Sequence, residues 1–142
     1  MTDRNYRQRR SYRVKRLFQT LRARVDEALD AVGLSMPLYG ALTVLEAEGA
    51  LPNATLARLN FVTPQTMLRI VGSLEASRLI ERDPSGIGRS VRYKLSEEGR
   101  LKLEGAHPLV MEIEQQMMGA LTDDEATLFS QSLDRCAEAL ST

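Results

Sequence analysis

Gln65, Thr66, Arg69 and Ser73 recur at helical spacing along one side of the segment 64–77, and Gly72 and Ala76 complete that side. Amide, hydroxyl and guanidinium groups in this pattern can hydrogen-bond base edges or phosphates. Small residues between them would let the backbone sit deep in a major groove. A face that is merely solvated more often carries Glu and Lys, and this stretch has neither until Glu75. Thr63 is a suitable N-cap and Pro64 suits the first helical position, where its missing N–H costs nothing. Arg58 upstream and Arg89 downstream add cations on either side. Two readings stand: a helix that reads nucleic acid, or an ordinary solvated face.

Other chemistry is sparse. His107 is the single histidine, with no second histidine, cysteine or carboxylate cluster at ligand spacing, so neither a metal site nor a Ser/His/Asp set is expected. A residue beside a kink is the simpler account of it, with a pH or ligand role left open. There is no G-x-S-x-G, phosphate-binding loop or dinucleotide fingerprint, so no enzyme activity and no cofactor are expected. Cys136 is the single cysteine and excludes an intramolecular disulfide, which suits a reducing, cytoplasmic setting. It lies near the apolar side of the last helix, as a core or interface residue rather than a sensor. Met111, Met117 and Met118 read as soft packing at an interface.

Charge sharpens the picture. The 142 residues carry 19 basic and 19 acidic groups, yet the signs are segregated. Residues 1–24 hold nine bases and one acid, 25–52 five acids and no base, 53–95 seven bases and three acids, and 96–142 three bases and ten acids. A basic arm and a basic middle between acidic segments suggest a polyanion-binding face, or alternatively a solvated helix with a disordered tail. With 43% hydrophobic residues the chain can bury a core, and no apolar run approaches the length of a membrane span.

The elements that must position these groups follow from periodicity. Val14, Leu17, Phe18, Leu21, Val25, Leu29 and Val32 predict an amphipathic helix over roughly 11–31, ending near Gly33. Ser35 caps a second helix that stops at Gly49, and Pro52 opens a short third one. Asn60-Phe61-Val62 separates it from the helix beginning at Pro64, a helix-turn-helix arrangement. Phe61 stands where a turn glycine is common, so the bend is expected to form without an easy left-handed residue. Leu79–Arg82 and the alternation Val91, Tyr93, Leu95 predict a β-hairpin around a Pro- and Gly-rich tip. Ser96 caps a long helix in which Pro108 should produce a kink, not an end. Thr122 and Glu125 form a capping box for the last helix, whose apolar side carries Phe129, Leu133, Ala137 and Leu140.

The stretches Leu56–Met67 and Leu74–Arg82, with Leu95-Ser96-Glu97-Glu98-Gly99-Arg100, resemble the MarR family of winged helix-turn-helix regulators over nearly the whole chain. The resemblance implies a mainly α fold with a small β-hairpin wing. Residues 1–34 would form a basic arm and first dimerisation helix, 35–96 the winged DNA-binding lobe, and 97–142 the C-terminal dimerisation helices. It further implies a homodimer on a palindromic double-stranded operator, acting as a repressor relieved by a small aromatic or amphipathic effector. Gln65, Thr66 and Arg69 would enter the major groove beside Pro64 and Ser73, Arg89 the minor groove, and Arg58 and Thr63 would meet phosphates. Phe18, Leu21, Tyr39 and Met111 are candidates for the effector pocket, though Tyr39 could equally be core. The family's wing often carries Asp-Arg-Arg; Ile87-Gly88-Arg89 keeps only the last Arg. The family's peroxide-sensing branch uses a cysteine in the first helix, which is missing here. Rival readings are an interaction module that modulates another regulator without binding DNA, and a small enzyme using the central pocket.

Overall fold

The structure is a computed structural model describing residues 4–84 and 91–141. A short 3-10 turn, Tyr6–Gln8, leads into α1 (Arg10–Asp30), followed by α2 (Met36–Glu48). Next come β1 (Leu51–Pro52), α3 (Asn53–Leu59), α4 (Pro64–Ala76), β2 (Ile80–Arg82) and β3 (Arg92–Leu95). Two long helices, α5 (Glu97–Met118) and α6 (Asp123–Leu140), complete the chain. It divides into two compact units, Met1–Val110 and Met111–Thr142, with α5 running through the boundary. Among the described residues no helix is long and apolar enough to cross a membrane.

The core of the first unit draws on every helix in it. Leu29 of α1, Leu42 of α2, Leu56 of α3, Met67 and Leu74 of α4 and Leu103 of α5 are its largest fully buried side chains. Each such side chain contributes roughly 1.5–3 kcal/mol through its burial. No polar or charged side chain among the described residues joins them.

Local chemistry sets the boundaries. Gly33 and Gly49, at φ 73° and 83°, end α1 and α2 in a conformation that L side chains adopt at a cost. Ser35 caps α2 by accepting from the Leu38 N–H at 3.5 Å. A second, closer cap reaches across from α1, where Asp26 Oδ1 accepts from the Met36 N–H at 2.6 Å. A carboxylate at a helix N-terminus also meets the positive end of the dipole.

The wing base has three strands where two are expected from the sequence. β3 lies between β1 and β2, with Leu51 opposite Tyr93 and Ile80 opposite Leu95. Pro52 is therefore an edge-strand residue, where its missing N–H does no harm, and α3 starts one residue later, at Asn53. Tyr93 is buried, whereas Val91, expected to share its face, precedes the strand and is exposed. The tip, including Ile87, Gly88 and Arg89, lies outside the described residues.

Ser96 ties this sheet to α5. Its hydroxyl accepts from the Gly99 N–H at 3.0 Å and donates to the Arg78 carbonyl at 2.7 Å, while its N–H donates to the Leu79 carbonyl at 3.0 Å. Gly99 is packed so tightly that a Cβ there would stand 2.0 Å from the Leu79 oxygen. α5 continues through Pro108 without ending.

In the second unit, α6 begins with the expected capping box. Thr122 accepts from the Glu125 N–H at 3.2 Å, and the Glu125 carboxylate accepts from the Thr122 N–H at 3.0 Å. That bond holds the Glu125 carboxyl below its usual range. No residue of α6 is buried: Leu128, Leu133, Leu140 and Cys136 are all exposed.

Candidate nucleic-acid interface

The helix-turn-helix is assembled by side-chain amides and one strained residue. Asn53 Nδ2 donates to the Pro64 carbonyl at 3.1 Å, fastening the start of α3 to the start of α4. Asn60 Nδ2 donates to the Leu56 carbonyl at 2.8 Å and closes the end of α3. Its Oδ1 lies 3.0 Å from where a Cβ on Gly40 would be, so α2 and the turn approach closely. The bend does use a left-handed residue, contrary to the expectation from the missing glycine: Phe61 itself adopts φ 57°. For a residue with a Cβ this conformation costs roughly 1–2 kcal/mol. The cost is overcome by the bonds on either side, Phe61 N–H to Arg58 carbonyl at 3.2 Å and Val62 N–H to Ala57 carbonyl at 3.1 Å.

α4 then presents the expected face. Thr63 caps it, accepting from the Thr66 N–H at 3.1 Å, with Pro64 in its first turn. The Thr63 hydroxyl donates to Thr66 Oγ1 at 3.1 Å, and Arg69 Nη2 donates to the same oxygen at 3.4 Å. The Arg69 guanidinium is thus drawn along the outer face of the helix. Met67, Val71 and Leu74 are buried, while Pro64, Gln65, Arg69, Gly72 and Ser73 are exposed and Thr66 is half-buried. Arg58 is exposed in the last turn of α3.

Cations on the sheet are partly neutralised. Arg82 Nε pairs with Glu75 at 3.3 Å and Lys94 with Glu81 at 3.7 Å, while exposed Arg92 pairs with no acid among the described residues. The pairing with Arg82 offsets part of the repulsion that Glu75, the one acid on α4, would offer an approaching anion. Glu75 and Arg82 are not spaced as helix neighbours, so this pair had no sequence signature.

Four residues are expected at an effector pocket. Phe18 is exposed and Leu21 half-buried on α1, Tyr39 is half-buried on α2, and Met111 is exposed in the second unit. A separate hollow on the described surface is lined by Arg7, Tyr12, Arg13, Arg16, Leu17 and Thr20. Tyr39 takes part in a bridge that sequence spacing could not reveal. Its hydroxyl lies 2.7 Å from His107 Nδ1, and His107 Nε2 lies 3.0 Å from Glu46 Oε1, joining α2 to α5. Groups of three or more potential metal ligands are absent among the described residues.

No family model matches the chain. It is 30% identical over 125 residues to the HTH-type transcriptional repressor Rv2887 of Mycobacterium tuberculosis, covering 87% of this chain and 90% of the relative. The crystal structure of that MarR family protein in complex with p-aminosalicylic acid superposes with a TM-score of 0.75, at 29% identity, over 91% of this chain and 98% of the other. The structure of the same protein in complex with DNA gives a TM-score of 0.76 at 26% identity, over 90% and 97% of the two chains.

Proposed function

Because the chain belongs to the MarR family of winged helix-turn-helix regulators, we propose that it is a sequence-specific DNA-binding transcriptional regulator. In this reading it acts as a homodimer on a palindromic operator and is a repressor released by a small aromatic or amphipathic effector. The observation that carries the reading is the exposed face of α4: Gln65, Arg69 and Ser73 outward on a helix whose other side is core, with its one acid engaged by Arg82. A relative solved both with DNA and with p-aminosalicylic acid supports it.

Gln65, Thr66 and Arg69 enter the major groove, with Pro64 and Ser73 at the margins of the contact. Arg58 and the capped turn at Thr63 meet phosphates, which fix register without reading sequence. Arg89, outside the described residues, reaches the adjacent minor groove. Residues 1–34 supply the arm and first dimerisation helix, 35–96 the DNA-binding lobe and 97–142 the remaining dimerisation helices. Exposed Val14, Leu17 and Phe18 on α1, and Leu128, Leu133 and Leu140 on α6, supply apolar surface for a second copy to cover. The effector, lined by Phe18, Leu21, Tyr39 and Met111, binds more tightly to a state whose recognition helices no longer match successive grooves; without that preference it would shift nothing.

Selection of duplexes from a randomised DNA library, with sedimentation of the free protein, tests the proposal. A recovered inverted repeat and a particle of about twice 15.9 kDa are expected. Recovery of no sequence would favour an interaction module, and a monomer at micromolar concentration would remove the two-fold arrangement.

A further inference from the structure

Phe61 is the most exposed large hydrophobic residue of the described chain, with 95% of its surface open to solvent, and it is held at φ 57°. Both features oppose folding. An aromatic ring in water contributes no burial, and the left-handed backbone would suit Gly or Asn better. Nothing in the packing explains why a phenylalanine stands here.

Its position is nonetheless well defined. The hydrogen bonds that close α3 fix the backbone on its N-terminal side, and the Thr63 cap fixes it two residues later. Exposed Arg58, Pro64 and Gln65 flank it in sequence. From Gly49 through Leu74 the chain contains no acid, while Arg58 and Arg69 are both exposed. A polyanion can approach this surface without repulsion, and on the DNA-binding reading that polyanion is the duplex.

We propose that Phe61 is a DNA-contacting residue. Its ring packs on the apolar surface of the duplex beside the recognition helix, either a thymine C5-methyl group or a deoxyribose. The inference rests on the DNA-binding reading above and adds to it an apolar contact made from the turn. The strained conformation is then pre-organisation, because the turn delivers the ring to the groove edge with its backbone already fixed.

The test uses the full-length protein and the duplex that it selects from a randomised library. Phe61→Gly and Phe61→Asn both relieve the backbone strain, so their melting temperatures should equal or exceed that of the wild type. Their affinity for the selected duplex should nevertheless fall about tenfold, the loss of most of one aromatic contact. Phe61→Leu should retain much of the binding. Single thymine-to-deoxyuridine replacements then separate the two surfaces. With a methyl contact, one replacement per half-site weakens the wild type by the same factor and leaves Phe61→Gly unaffected. With a deoxyribose contact, no replacement matters while Phe61→Gly still loses affinity; either pattern upholds the proposal. Gly and Asn variants that bind as tightly as the wild type would overturn it and leave the DNA-binding reading intact. Failure of the wild type to select any duplex would overturn both.

Discussion

A single hydrogen atom at Gly99 decides how the sheet meets α5. A Cβ there would stand 2.0 Å from the Leu79 carbonyl and 2.9 Å from Leu95 Cδ1. The leucine methyl can turn away, but the carbonyl is held by the Ser96 N–H. Gly99→Ala should therefore destabilise the protein by about 1–3 kcal/mol in chemical denaturation; an unchanged midpoint would mean that the turn at Arg78–Leu79 is free to shift. Two arginines at the interface separate just as sharply. Arg69→Ala is expected to cost about 1–3 kcal/mol at the operator and to relax preference at one base pair per half-site. Arg58→Ala should weaken operator and random DNA alike and lower the salt slope by about one unit. A panel of single-base operator variants decides between them, and identical profiles would mean that Arg69 reads no base.

At the level of the element, α6 offers a clean case of a helix start set by one reciprocal pair. The Glu125 carboxyl is held below its ordinary range by the Thr122 N–H and hydroxyl. Its contribution is complete above the usual carboxylate range of about 4 and is lost as pH falls through the lowered value. The protection factor of the Thr122 amide, its exchange corrected for the intrinsic rate at each pH, should fall on acidification; in Glu125→Gln, which keeps the bond without the charge, that fall should disappear. Thr122→Ala should cost about 1 kcal/mol at neutral pH. This box was legible because its two residues lie three apart, and so were the stripes of α1 and α4 and the caps at Ser35 and Thr63. β1 was not, since two residues cannot display a period, and Pro52 points toward a helix start until Tyr93 and Arg92 are seen opposite. The Asp26 cap and the Tyr39–His107–Glu46 bridge depend on how helices pack, which spacing along one helix does not encode. The outward face of α4 was legible, whereas the left-handed turn at Phe61 was misread because only glycine was credited with that conformation.

For the molecule as a whole, neutrality conceals an alternation of basic and acidic segments along the chain. Residues 4–10 contain Arg4, Arg7, Arg9 and Arg10, all exposed. Such groups bind phosphates by releasing counterions and carry no sequence information. Deleting residues 1–10 should weaken binding to every duplex and flatten the dependence of affinity on salt. A change in the preferred sequence would instead make the arm a reader, and titrations at two salt concentrations on operator and random DNA distinguish the outcomes.

His107 gives this protein a built-in spectroscopic probe. As the single histidine, it is the sole source of imidazole resonances in a nuclear magnetic resonance spectrum, provided that no polyhistidine tag is added. Its two ring nitrogens face Tyr39 and, about two turns further along the same helix α2, Glu46, from a ring anchored on α5. The ring's tautomer and chemical shifts therefore register the state of the α2–α5 joint without any resonance assignment. Adding DNA or a small molecule to the unmodified protein and following that one signal would show whether the joint opens, closes or stays fixed during regulation.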